Sequence, residues 1–361
     1  MNESSLTPKQ LGYRLPAEWE PHEATWLSWP HKEASWPGKI ETIFPVYSQM
    51  VAALARSELV HINVNDTAME AAVCRHLQQA GVAKEIGGRI HLHRFATNDA
   101  WCRDHGAIIL KHRDSKAAAD KGLNSRLATD WDYNAWGDKY PPYDLDNLIP
   151  SKMAELLGIP CRKGGMVLEG GSIDSNGAGL LLTTENCLLN PNRNPNLTRQ
   201  QVEERLALFT GARRIIWLGE GFSDDETDGH VDNIACFVSP ARVMVGVPAS
   251  RSHPDYEPVA EAIRRLGEAR DAEDRRIEIV EIVQPSAERV DWRGRPLAAS
   301  YVNFYLPNGG VVMPSFDDSN DERARSVIAD CFPGRDILQI DALDIVEGGG
   351  GIHCITQQEP A

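Results

Sequence analysis

The sequence contains no Cys-x-x-Cys pair, no apolar run that approaches a membrane span, and no Pro/Ser/Gly linker or low-complexity block. Its seven cysteines (Cys74, Cys102, Cys161, Cys187, Cys236, Cys331 and Cys354) are odd in number and widely scattered, which excludes a disulfide framework or a zinc ribbon. Reduced thiols are expected, most of them small buried apolar groups. Residues 1–16 lack the basic-then-apolar order of a secretory signal, so a soluble cytoplasmic protein is expected. His-Glu-x-x-His is missing, and the glycine run near residue 350 has no Lys-Ser/Thr after it, so neither zinc nor phosphate-loop chemistry is suggested. Positive charge is also scarce. With 37 Lys plus Arg against 52 Asp plus Glu, the net charge of −15 disfavours nucleic acid and anionic membranes and suits a cationic ligand.

What is present is an ordinary globular composition, 42% hydrophobic and 25% charged over 361 residues, ample for a large core. A loose repeat runs through it, each unit pairing two β-rich runs around an amphipathic helix. Residues 24–29 lead through a helix near 44–55 to a run at 59–64, residues 180–189 through 198–210 to 215–218, and residues 243–247 through 256–266 to 277–280. Residues 310–314 lead through 320–331 to 337–340, and a weaker unit joins 106–110 through 152–157 to 166–168, with a Trp/Tyr/Asp-rich insertion at 130–146. Five such α/β units fit either a closed ring or a doubly wound sheet, and periodicity leaves both open.

The chemically dense segments border the inferred strands. Cys354 follows four consecutive glycines, which open backbone geometries closed to other residues and let a ligand approach the chain. A reactive thiol also needs a base. His353 is adjacent, but in an extended segment it would point away from Cys354. His230 is preferred, because alternation in His-x-Asp would set His230 and Asp232 on one face. Asp104 lies three residues after Trp101, and Glu169 enters a Gly-Gly turn. Asp224, Glu226, Asp228 and Gly229 match the early spacing of a calcium loop, but its twelfth position is Ala235 and an apolar run follows.

At these residues the chain resembles the agmatine deiminases of the guanidino-group-modifying superfamily, which also contains arginine deiminases, peptidylarginine deiminases and amidinotransferases. The resemblance covers essentially the whole chain. It is carried by Pro16-Ala17-Glu18-Trp19-Glu20-Pro21-His22 with Trp26 and Trp29-Pro30, by Trp101-x-x-Asp104, by Leu168-Glu169-Gly170-Gly171, by Asp228-Gly229-His230-x-Asp232-Asn233, and by the glycine run with Ile352-His353-Cys354-Ile355-Thr356-Gln357-Gln358. It implies a five-bladed α/β propeller (pentein-type) with pseudo-fivefold repeats around a central active site, residues 1–361 forming a single catalytic domain. It also implies Cys354 as nucleophile, His230 as general acid/base, and Asp104 and Asp232, with Glu169 nearby, as holders of the guanidinium. Trp101 would pack on the substrate and Glu226 would face its distal amine.

Carboxylates in pairs are the natural recognisers of a planar, delocalised cation. The expected partner is therefore a small cationic guanidinium substrate, with agmatine favoured because residues 224–232 are acidic where the carboxylate of free arginine would need a base. Neither a metal nor an organic cofactor is expected. A homodimer is an allowed assembly. Rival readings are an arginine or peptidylarginine deiminase, an amidinotransferase, a papain-like acyl hydrolase, and a non-catalytic acidic module binding calcium or polyamines. Neighbouring carboxylates should raise the pKa of Cys354 in the empty protein, and a bound cation should lower it.

Overall fold

The computed structural model describes residues 6–82, 88–222, 225–286, 290–291 and 293–361. The strand His22–Ser28 is buried at every position but one, as expected of a strand covered on both faces. It pairs in parallel with Leu59–Asn63, and because parallel neighbours cannot be joined by a tight turn, the helix Ile40–Leu54 makes the crossover. The same unit recurs in four further sheets. Arg126–Asp132 pairs with Cys161–Val167, and Leu180–Thr183 with Arg214–Trp217. Arg242–Val247 pairs with Glu278–Val283, and Gly310–Ser315 with Asp336–Asp341. Helices Ile149–Leu157, Arg199–Thr210, Tyr256–Glu268 and Asp321–Cys331 supply the respective crossovers.

The protein is thus α/β, with five separate sheets among the described residues. The expected repeat is observed with two corrections. In the second unit the leading strand is Arg126–Asp132 and not 106–110; Ile108–His112 lies antiparallel beside it, and the insertion expected from residue 130 begins inside the strand. Of the run 180–189 only Leu180–Thr183 is strand, because Thr184 caps a short helix at Glu185–Leu188 by accepting the Cys187 N–H. Apolar content marked these segments correctly as buried, but it does not separate strand from buried helix.

The core is largest around the first and last units. There Trp29, Trp36, Tyr47, Met50 and Phe316 pack in one cluster that also takes in Trp101 and Cys354. The strand Gln357–Pro360 returns to pair antiparallel with His22–Ser28, and the buried Glu359 accepts from Trp26 Nε1 at 2.8 Å. This pairing anchors the chain immediately after Cys354. None of the helices among the described residues is long and apolar enough to cross a membrane.

Helix Arg199–Thr210 starts on a capping box, in which the Thr198 side chain and the Gln201 side chain each satisfy the other's backbone N–H. Thr198→Ala should cost about 1 kcal/mol. Urea unfolding should show that loss as a lower midpoint with an unchanged slope.

Candidate active site

Four short turns from different parts of the chain pack together: the helix Cys102–His105 and the 3-10 turns Gly170–Ser172, Val231–Asn233 and His353–Ile355. Each lies beside a strand, so each side chain is aimed by a rigid element and not by a long loop. Gly171 marks where they converge. A Cβ there would lie 2.6 Å from His230 Nδ1 and 2.9 Å from both Asp104 Oδ1 and Asp232 Oδ2, so only glycine leaves room. Asp232 Oδ2 in turn lies 3.6 Å from Cys354 Sγ.

The structure brings together Cys354, His230, Asp104, Asp232 and Glu169. His230 Nδ1 is 3.8 Å from Asp104 Oδ1 and its Nε2 is 4.0 Å from Glu169 Oε2. Asp104 accepts the Gly171 N–H and Trp136 Nε1, both at 3.0 Å, and Glu169 Oε1 is gripped by Arg193 Nε at 2.6 Å. Trp101 stacks on Trp36 and borders a small pocket with Asp104, Trp136, Tyr140, Glu226 and Cys354.

The glycine run earns its place through crowding. A Cβ at Gly350 would lie 2.7 Å from the Trp101 ring and 3.2 Å from Cys354 Sγ, and Gly349 has φ +101°. Side chains here would displace the tryptophan or the sulfur.

Glu226 is placed at the pocket but is already engaged, pairing with Arg295 and accepting from the Tyr140 hydroxyl. A substrate amine would share or displace Arg295. Asp228 is held by Lys139, Asn192 and Arg193. The calcium reading therefore loses Glu226 and Asp228 to protein partners, and its first position, Asp224, lies outside the described residues.

Two local expectations are corrected. Residues 353–355 form a 3-10 turn, not an extended run, and the strand that follows starts at Gln357. His353 consequently stays in the cluster, with Nδ1 2.8 Å from Asp232 Oδ2 and Nε2 2.9 Å from Glu18 Oε2. His230 and Asp232 do converge, but through the turn Val231–Asn233 and not by strand alternation.

Reading residue types missed Asn303, Trp136 and Arg193. Asn303 Nδ2 lies 3.2 Å from Cys354 Sγ, and its Oδ1 accepts the His353 N–H at 2.9 Å. Nothing in an isolated Asn-Phe-Tyr stretch signals that contact. Trp136 sits in the aromatic insertion that was noticed but given no role. Arg193 could have been sought as the cation a buried glutamate needs.

The electrostatics follow from burial. Cys354 is 2% exposed, and burial followed by Asp232 and Asp104 pushes its thiol well above the usual value, against hydrogen bonds from the Gly351 backbone and Asn303. The expected rise is present, with desolvation ahead of the carboxylates. Burial raises Asp104 to about 6 against the pull of His230. Burial disfavours charge on His230, yet Asp104, Cys187 and Glu169 carry its pKa well above the usual range. Among the described residues, both ring nitrogens of His230, Asp232 Oδ1 and Glu169 Oε2 are buried without a hydrogen-bond partner. Such orphans cost about 1–3 kcal/mol each, so the cluster is built for a polar ligand.

Comparisons with known proteins agree on one family. Residues 14–360 match the profile of the Porphyromonas-type peptidyl-arginine deiminases. The chain is 37% identical to the agmatine deiminase of Pseudomonas aeruginosa (strain LESB58), covering 100% of this chain and 99% of that one. It is 35% identical to the agmatine deiminase of Medicago truncatula, covering 98% of each. The solved agmatine deiminase of Enterococcus faecalis superposes with a TM-score of 0.88 at 32% identity, covering 99% of this chain and 98% of that one.

A cation set between Asp104 and Asp232 would offset the charges that hold the Cys354 thiol up. Iodoacetamide alkylation followed against pH should therefore show a lower midpoint with an inert guanidinium ligand than without it. Asn303→Ala should raise the midpoint in both cases, because the sulfur loses its amide donor. An unaltered midpoint would discard the idea.

Proposed function

The chain belongs to the Porphyromonas-type peptidyl-arginine deiminase family, and on that premise we propose that it is an agmatine deiminase, hydrolysing agmatine to N-carbamoylputrescine and ammonia through Cys354. The observation that carries this reading is the set of unpartnered buried atoms on His230, Asp232 and Glu169 around one sulfur. A planar cation with several N–H donors is the ligand that satisfies the two carboxylate oxygens, and the protonated His230 is left to donate to the departing nitrogen.

In the proposed mechanism Asp104 and Asp232 hold the guanidinium nitrogens and set its central carbon against Cys354 Sγ. The thiolate adds to that carbon. His230, already protonated, donates a proton to the departing nitrogen, the C–N bond breaks, and ammonia leaves a covalent thiouronium. The now neutral His230 takes a proton from water, which adds to the same carbon. Collapse of the second adduct breaks the C–S bond, frees the ureido product and returns the thiolate. Trp101 packs on the substrate. Sulfur and carboxylates supply every step, so the reading calls for neither a metal nor an organic cofactor.

Agmatine is favoured over arginine because Glu226 lines the pocket, where an amine that displaces Arg295 gains an acidic partner and a carboxylate does not. We read the five sheets as five blades of one catalytic domain around a pseudo-fivefold axis, a geometry in which turns distant in sequence meet at the centre. The similarity to agmatine deiminases over whole chains supports that reading.

Incubation with agmatine, arginine and a blocked arginyl peptide should release ammonia fastest from agmatine. A like-charge clash of several kcal/mol sets arginine about 100-fold or more behind in kcat/KM. Cys354→Ala should lose turnover by on the order of 10⁴-fold or more. Mass spectrometry of quenched reactions should find Cys354 carrying the thiouronium that retains the aminobutyl chain of the substrate. Release of the diamine in place of ammonia, with the amidino group passed to an acceptor amine, would favour an amidinotransferase instead.

A further inference from the structure

His353 lies beside the proposed nucleophile, yet the mechanism above does not use it. Its ring is clamped between two acids, with Asp232 Oδ2 2.8 Å from Nδ1 and Glu18 Oε2 2.9 Å from Nε2. A neutral imidazole carries one N–H and one lone pair, so it would set a lone pair against a carboxylate oxygen on one side. Two ionised neighbours at hydrogen-bond distance therefore require a proton on both nitrogens. Glu18 is itself held as an ion, because Arg103 Nη2 reaches it at 3.1 Å while Arg103 Nε donates to the His353 carbonyl at 3.3 Å.

Resting on the deiminase reading, we infer that His353 is a permanent, largely buried imidazolium, a positioning residue that keeps Asp232 ionised and turned so that its second oxygen is free for the guanidinium. The geometry divides the two oxygens of Asp232. Oδ2 is taken by His353, whereas Oδ1 is buried without a partner among the described residues. A carboxylate fixed in this way presents one oriented acceptor to substrate without needing the substrate to order it.

The titratable and charged groups around the ring all bear on its state. Glu18 and Asp232 raise its pKa against the opposing effects of burial and Arg103. Asp174 and Cys236 border the same small cavity beside His353, and Cys354 follows it in the chain. Glu18 falls to about 2, with burial opposed by His353 and Arg103, and Asp232 is likewise lowered by His353 against burial. The sign follows. Removing the imidazolium should therefore raise the pKa of Asp232 toward the ordinary carboxylate value.

Two variants separate this role from mere packing. Glu18→Gln keeps a hydrogen-bonding group at Nε2 while removing the charge that demands the second proton, and His353→Asn keeps a donor toward Asp232 without the cation. In both, the Asp232 carboxylate, followed by ¹³C NMR, should titrate about one pH unit higher. KM should rise about 10-fold and kcat stay within about 3-fold. In the parent protein labelled with ¹⁵N-histidine, the NMR signals of His353 at pH 8 should be those of a doubly protonated ring, and Glu18→Gln should convert them to a neutral tautomer. A singly protonated ring in the parent, an unmoved Asp232 titration, or a loss confined to kcat would overturn the inference. The NMR measurement needs no turnover, so it still decides the protonation state if agmatine proves not to be the substrate.

Discussion

Negative charge that is buried beside a sulfur must be answered by something, and most of this site follows from that requirement. Asp104, Asp232 and Glu169 lie out of water and the Glu18 side chain is largely covered, all within a few turns of one another. Desolvating a carboxylate costs several kcal/mol unless a partner compensates. The chain supplies His230, His353, Arg193 and Arg103 as the answering cations. Once these are matched, a guanidinium and the Cys354 thiolate enter together as one positive and one negative charge. That is a physical reason for substrate to help ionise its own nucleophile.

The scaffold serves this balance by keeping backbone out of the way. Four turns deliver their side chains to one point, and Gly171 and Gly350 sit where any side chain would collide with the acids, the tryptophan or the sulfur. Trp36 and Trp101 close one side with a stacked pair, and Trp136 fixes Asp104 from the other. The return of Gln357–Pro360 onto His22–Ser28 holds Cys354 between two parts of the chain that are far apart in sequence. Glu18 belongs to the same arrangement. It comes from the N-terminal segment and reaches His353 in the C-terminal one, so the ion cluster also ties the two together.

Much of the fold was legible because it rests on local patterns. Strand–helix–strand units show in the spacing of apolar residues, and four of the five were located within a few residues. The unit that misled was the one interrupted by an insertion, where an antiparallel strand at Ile108–His112 carried the same apolar signature as the strand it flanks. Cys354, His230, Asp104, Asp232 and Glu169 were legible through residue type and motif. Asn303 was not, because an asparagine acquires meaning only from what it faces. His353 was discounted on an assumption of extended backbone, and a single 3-10 turn reversed its direction.

By itself the sequence determined the α/β class, the acidic balance and the set of residues able to do thiol chemistry on a cation, since these depend on composition and short-range periodicity. Tertiary structure alone decided which of those groups share a space, which are already paired within the protein, as Glu226 is with Arg295, and which were left with an unused atom. The physical reason is that charge and hydrogen bonding at a buried site depend on distances between segments far apart in the chain, and chain order does not carry those distances.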